Sequence, residues 1–266
     1  MALFSNDAFK SEHILITGAT GGIGYETAVE AAAMGAKLTI TGRNEEKLHK
    51  LKDSCANLNE KAEIFVCPAD LNDSEDRERL LKDAKQTFGP VTGLVNSAGI
   101  AGGDPLDRLS EEKMRKMMEL NYFSTVLLTQ GVYEQMKENQ RGAVVNVSSL
   151  SGLRGTHSNI AYSASKFAVI GFTQSFAVEA IEHGIRVNAV CPGFVDTEMG
   201  RSAIAGLGER NGNSYEEQRK LSEQGIPSGR ISEADEVARS IIFLLSNASE
   251  NIVGESLKIS GGSVMR

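Results

Sequence analysis

The sequence predicts an α/β fold: a doubly wound, mostly parallel sheet with helices on both faces, in a single domain over residues 1–266. Three observations predict it. Short β-branched runs alternate with longer amphipathic stretches along the whole chain, the order that builds parallel strands through helical crossovers. The first such run ends in a glycine cluster that opens a helix, which is where a doubly wound fold makes its first turn. No linker, internal repeat or low-complexity tract divides the 266 residues, a length that suits one large core.

Composition narrows the function. The formal net charge of −7, with acids and bases interspersed, argues against nucleic acid as a partner, which calls for a basic patch. Cys55, Cys67 and Cys191 are too far apart for metal-binding spacing and fit a reducing, cytoplasmic setting. Met1 to Asp7 lacks the basic and apolar regions of a secretory signal, and no stretch has transmembrane length, so no membrane association is expected.

Taken in order, His13 to Thr17 reads as a strand and leads into Gly18-Ala19-Thr20-Gly21-Gly22-Ile23-Gly24, then an Ala-rich helix to about Met34. Such a turn brings backbone close to a pyrophosphate and offers it the free N–H groups of a helix N-terminus. A second strand, Lys37 to Thr41, ends in Gly42-Arg43-Asn44, where a dinucleotide fold meets the adenosine ribose. An acid there accepts from a free 2′-hydroxyl; here Gly42 removes the acid and Arg43 supplies a cation for a 2′-phosphate. NADP(H) is therefore preferred, with NAD(H) as the alternative.

A helix from about Glu45 to Leu58 and a strand near Glu63 to Cys67 lead to Asp70-Leu71. Asp70 either accepts from the adenine amino group or caps the helix that starts near Asp73 and runs to Phe88. Val91 to Val95 is a strand followed by Asn96-Ser97-Ala98-Gly99, small residues that let a flat ring lie against the backbone. One long helix from about Glu111 to Lys137 carries Asn121 at its middle, where an amide needs a reason. Strand Ala143 to Val147 ends at Ser148-Ser149, and a helix from about Ala161 to His183 carries Tyr162 and Lys166.

Tyr162-Ser163-Ala164-Ser165-Lys166 places a phenol and an ammonium on one helix face. A phenol titrates near about 10 and is a poor proton carrier at neutral pH unless a cation favours its anion. With Ser149 at the same oxygen, the three groups can move a proton to or from a carbonyl or alcohol. Strand Ile185 to Val190 then runs into Cys191-Pro192-Gly193. From about 197 to 227 no period is visible, and Gly206, Gly208 and Gly212 suggest a mobile substrate lid. Ser232 is read as the cap of a helix to about Leu245, and Ser256 to Ile259 as the last strand.

Together, Thr17-Gly18-Ala19-Thr20-Gly21-Gly22-Ile23-Gly24, Asn96-Ser97-Ala98-Gly99, Asn121, Ser149, Tyr162-x-x-x-Lys166, Asn188 and Pro192-Gly193 with Thr197 resemble the short-chain dehydrogenase/reductase family over nearly the whole chain. The resemblance reaches members like the 3-oxoacyl-carrier-protein reductases. It implies a Rossmann domain with a seven-stranded sheet, a carbonyl or secondary-alcohol substrate, and a homotetramer or homodimer. By the same resemblance, Tyr162 is the general acid or base, and Ser149 holds the substrate oxygen. Lys166 lowers the phenol pKa and holds the nicotinamide ribose, Asn121 keeps a relay water, and Val195 and Thr197 orient the carboxamide.

Three positions depart from family patterns: Ser97, Gly21 where NADP-preferring relatives carry a base, and Ser260 before Gly261-Gly262. Arg141, Arg154, Arg201 and Arg210 stand as contacts for an acidic substrate or as solvated charges, and His183 stands where carrier-protein reductases often have Arg. Two other readings remain on the same fold: a catalytically silent dinucleotide sensor, and a dehydration or epimerisation enzyme.

Overall fold

The computed structural model describes residues 5–265. Seven strands form one parallel sheet in the order β3-β2-β1-β4-β5-β6-β7. They are β1 (His13–Thr17), β2 (Lys37–Ile40), β3 (Glu63–Val66), β4 (Gly93–Asn96), β5 (Gly142–Val147), β6 (Ile185–Pro192) and β7 (Ser256–Ile259). The helices between them are α1 (Gly22–Ala33), α2 (Glu45–Leu58), α3 (Ser74–Phe88), α4 (Glu111–Met118), α5 (Ser124–Asn139), α6 (Ile160–Ala180), α7 (Glu198–Asn211), α8 (Tyr215–Gln224) and α9 (Ala234–Leu245). Among the described residues no helix is long and apolar enough to cross a membrane.

Strand alternation divides the core into two layers. Ile14, Ile16, Val95 and Val145 face the layer of α1, α2 and α9, which supplies Ala28, Leu48, Leu51, Val237 and Ile241. Leu15, Leu94, Val144 and Val187 face the other, with Leu80, Leu128, Val132 and Phe176 from α3, α5 and α6. Both faces of the sheet are covered, which is why these strands are mostly apolar and their few polar residues, such as Asn96 and Asn146, are buried. The strand order reverses between β1 and β4, and in such sheets the crevice beyond the strand C-termini at that point receives the ligand.

Three expectations are corrected. The long helix from Glu111 is broken: Glu119–Phe123 forms a π-turn between α4 and α5 with Asn121 buried inside it. Apolar periodicity alone does not separate this break from a regular helix, because α-helical φ/ψ continue through it at Met118, Glu119, Phe123 and Ser124. The segment after Thr197 is not irregular but folds as α7 and α8. Thr197 caps α7 by accepting from the Gly200 N–H, and a reciprocal box of Ser214 and Glu217 starts α8. Ile204, Ile226 and Ile231 pack with Phe194 and Tyr215 in a small core of their own. Finally, Glu233, not Ser232, is the N-cap of α9; Ser232 pairs with Val195 in a short parallel bridge.

Candidate active site

The glycine turn is shaped by close approach. Gly18 has φ +61°, and a Cβ there would stand 2.7 Å from the backbone of Ala98. The ends of β1 and β4 therefore interdigitate as only glycine allows. Thr17 fastens the junction, because its hydroxyl accepts from the N–H groups of Ser97 (3.0 Å) and Ala98 (3.1 Å). A Cβ on Gly24 would lie 2.5 Å from the Gly18 carbonyl oxygen, and one on Gly22 would lie 2.4 Å from the Thr197 methyl. Gly21 and Gly42 are less confined, each with its nearest neighbour at 3.4 Å; for Gly42 that neighbour is the Thr20 hydroxyl.

The N-terminus of α1 differs from those of four other helices. Helices α2, α3, α4 and α8 have side-chain caps and acids in their first turns. Helix α1 begins at Gly21 with neither, leaving Gly22, Ile23 and the following N–H groups for an anion. Arg43 is exposed at the end of β2, with no ion-pair or side-chain hydrogen-bond partner among the described residues. A narrow glycine cradle, an uncapped helix start and an exposed cation fit a dinucleotide such as NAD(P)(H).

Other expected contacts divide into main-chain and side-chain groups. Asp70 accepts from the Asn72 N–H, while Asp73 caps α3, so the capping alternative for Asp70 is ruled out. The side chains of Leu71 and Val195 are buried in apolar cores, which leaves only their backbone for a ligand. Asn96 is likewise turned inward: its amide donates to Thr129 (3.0 Å) and Asn146 (2.8 Å), and Asn146 donates to Thr173. This buried polar chain ties β4 and β5 to α5 and α6 beneath the site. Pro192 ends β6, and the Gly193 N–H is held by the Ile259 carbonyl.

The proton-transfer groups come together where β5 and α6 meet. Ser149 follows β5 and accepts from the Ser151 N–H at 3.1 Å, starting a short helical turn. That turn lies against α6 so closely that a Cβ on Gly152 would be 2.7 Å from the Lys166 carbonyl. Tyr162 is half-buried, and the Lys166 ammonium lies 5.8 Å from its ring centroid, donating to the Val147 carbonyl at 2.8 Å. Gly99 completes the group, since a Cβ there would stand 3.1 Å from Asn121 Oδ1 and 3.6 Å from Lys166 Nζ.

Burial dominates the electrostatics. Desolvation raises the Tyr162 phenol above its ordinary value, and the Ser149 hydroxyl offsets this in part. The expected lowering by Lys166 is not what the structure gives. Lys166 is itself pushed down to about 8 by burial, and its ammonium is held by a backbone carbonyl. At neutral pH the pair is thus a protonated phenol beside a charged ammonium, the state suited to giving a proton to a carbonyl oxygen. Cys191, next to this group, has its thiol pushed up to about 11 by burial and is inert.

Asn121 is positioned by its π-turn to span two segments. Its Oδ1 accepts from the Ile100 N–H (2.8 Å), and its Nδ2 donates to the Ile100 carbonyl (2.9 Å) and Ser165 Oγ (3.0 Å). Both amide hydrogens are used, while Oδ1 keeps one acceptor site. Of the arginines considered for an acidic substrate, Arg141 pairs with Glu12 at the opposite end of the sheet and Arg201 pairs with Asp196. The Thr17 hydroxyl and the Val147 carbonyl were not singled out from sequence. Only their partners across the sheet give them a role.

Comparison with known proteins agrees with this geometry. Residues 12–207 match the short chain dehydrogenase family. An uncharacterized oxidoreductase of Thermotoga maritima is 36% identical over 96% of this chain and 98% of its own length. Levodione reductase of Leifsonia aquatica is 33% identical over 96% and 94%. The 3-oxoacyl-[acyl-carrier-protein] reductase FabG of Vibrio cholerae is 34% identical over 94% and 96%. A crystal structure of an actinorhodin polyketide ketoreductase variant with NADPH superposes with a TM-score of 0.92 at 31% identity, covering 99% of each chain. With its order of strands, its glycine cradle and its Ser149, Tyr162 and Lys166 group, the chain belongs to the short-chain dehydrogenase family and is an oxidoreductase of carbonyl and alcohol groups.

Proposed function

We propose that the protein is an NADP(H)-preferring ketone reductase, able to run in reverse on a secondary alcohol. The observation that carries this reading is geometric: Ser149, Tyr162 and Lys166 meet where β5 and α6 come together, with Gly99 and the glycine turn of α1 beside them. When bound, the nicotinamide supplies or accepts the hydride. The chain's own residues handle the oxygen. Ser149 donates to it, Tyr162 gives it a proton in reduction or takes one in oxidation, and both meet the negative charge that develops there. Lys166 keeps a positive charge beside the phenol and lies within reach of the ribose that the Gly99 turn would admit. Val195 and Thr197 present main-chain groups and a hydroxyl for the carboxamide.

Arg43 favours NADP(H), and the likeness to a ketoreductase determined with NADPH supports it. The relatives are named for levodione, 3-oxoacyl-[acyl-carrier-protein] and polyketide reduction, so the substrate panel must be broad. We read α7 and α8 as the lid, clipped to the strand end by Arg219 and Arg201 on Asp196. The outward apolar residues Met114, Phe123, Leu127 and Phe167 on the π-turn and helices α4, α5 and α6 are the surface we assign to self-association, as a dimer or tetramer. Absorbance at 340 nm with NADPH or NADH against ketones, sugars, steroids and 3-oxoacyl thioesters tests the activity. Cofactor binding with no turnover on any of them would favour a silent sensor.

A further inference from the structure

One ion pair crosses the mouth of the crevice. Lys47, in the first turn of α2, lies with its ammonium 3.9 Å from the carboxylate of Glu198, the first residue of α7. Glu198 adjoins the start of α1 through its neighbour Thr197. The Thr197 side chain beside Glu198 rests where a Cβ of Gly22 would be, and Lys47 follows directly on the Gly42-Arg43-Asn44 turn, its N–H bound to Asn44 Oδ1 at 2.9 Å. The pair therefore links the helix that follows the Arg43 turn to the residue beside the one that rests on Gly22.

The surrounding charges make Lys47 the available cation there. Glu45 and Glu46, which share the first turn of α2, are turned toward His49 and Lys50. Lys50 is held by Glu46 at 2.6 Å, while Lys47 has only Glu198, and that carboxylate is 89% exposed. Long, solvated pairs of this kind are weak. A phosphate monoester carries about −1.5 to −2 charge and three acceptor oxygens, a stronger partner for an ammonium than one carboxylate. The flexible lysine stem lets the ammonium change partners without moving the helix.

We propose that Lys47 is a second specificity-determining cation for the 2′-phosphate, in the place that Gly21 leaves without a base, and that Glu198 competes with the phosphate for it. This rests on the NADP(H) reading above. It makes the cofactor preference depend on a residue of the lid helix and not only on the β2 turn.

The test is the dissociation constants of NADPH and NADH, measured by cofactor fluorescence at one low ionic strength. The variants are Lys47→Met, Glu198→Gln, their combination and Arg43→Ala. Lys47→Met should weaken NADPH about threefold to tenfold while NADH stays within about twofold. Glu198→Gln should tighten NADPH about twofold to fivefold, and that gain should vanish in the Lys47→Met background. Both positions are exposed, so melting curves should match wild type. An unchanged NADPH-to-NADH ratio in Lys47→Met overturns the proposal even where Arg43→Ala collapses that ratio and so upholds the NADP(H) reading. An equal gain from Glu198→Gln with and without Lys47 overturns the competition, leaving only general charge. A wild-type ratio near one overturns both readings.

Discussion

At the N-terminal end of the strands, Arg186 is buried and its guanidinium donates to the carbonyls of Leu244, Leu245, Ser246 and Ser249 and to the Ser249 hydroxyl. His13, in the same end, has Nδ1 on the Gly89 carbonyl and Nε2 on the Thr39 hydroxyl. At the C-terminal end the reverse holds. Arg43 has no partner among the described residues, α1 starts without a cap, and buried Lys166 has a single carbonyl. Polar groups satisfied from within hold the fold together. Those left with unused donors at the opposite end cost stability and are where a ligand is received.

The sharpest break of that contrast is Tyr162→Phe. It should lower kcat by about 10² to 10⁴, the usual size of a general acid or base effect, with cofactor affinity and melting temperature near wild type. A kcat within about tenfold of wild type would remove Tyr162 from the acid role. At the other end, Arg186→Met should cost about 3 kcal/mol or more of stability, because buried carbonyls lose their donor. Chemical denaturation reads this. Turnover per folded molecule should be preserved.

Lys166→Met sharpens the comparison by separating the two quantities at one residue: turnover falls while the melting temperature rises. The sign follows from the lysine pKa, held at about 8 in the folded chain against an ordinary value of 10.5. The unfolded chain binds the extra proton between these values, so wild-type stability increases as pH rises through them, and the full penalty applies below pH 8. The melting gain of the variant should thus be largest at neutral pH and fade above about pH 10. A gain that ignores pH would mean that packing, not charge, causes it.

Smaller effects are expected from two further changes. Gly42→Asp with Arg43→Ala should move preference toward NAD(H) by about tenfold, read as the ratio of dissociation constants. The new carboxylate has room, with Thr20 at ordinary contact distance from its Cβ. Burial lowers the His13 pKa, so the unfolded chain takes the proton first and stability should fall as pH drops below about 6.5. His13→Gln should flatten that slope in melts between pH 7 and 5.

The parts legible in sequence were those whose chemistry is local. Gly18 to Gly24 read as a close-approach turn from its place between the first strand and the first helix, and Tyr162 with Lys166 shared a helix face by spacing alone. The parts that were not legible depend on partners far along the chain. That the Asn96 amide turns inward is set by Asn146 and Thr129, far along the chain, and it leaves the backbone of Asn96 to Gly99 for a flat ring. Spacing places a cation near the Tyr162 phenol but says nothing of the burial that raises the phenol and lowers Lys166. Helices α7 and α8 were hidden because their glycines mask a small core that forms only when Ile204 meets Ile226 and Ile231.

The π-turn at Glu119–Phe123 is a helix holding one residue more than an α-helical path over the same distance would need. Losing a residue there would restore regular hydrogen bonding but turn everything before it by about 100°, the step of one residue in 3.6. Met117 would leave the core, and the Asn121 grip on Ile100 would be lost at the same stroke. No series of small substitutions leads between those two states. The two states differ by one residue of chain length, so only an insertion or deletion converts one into the other.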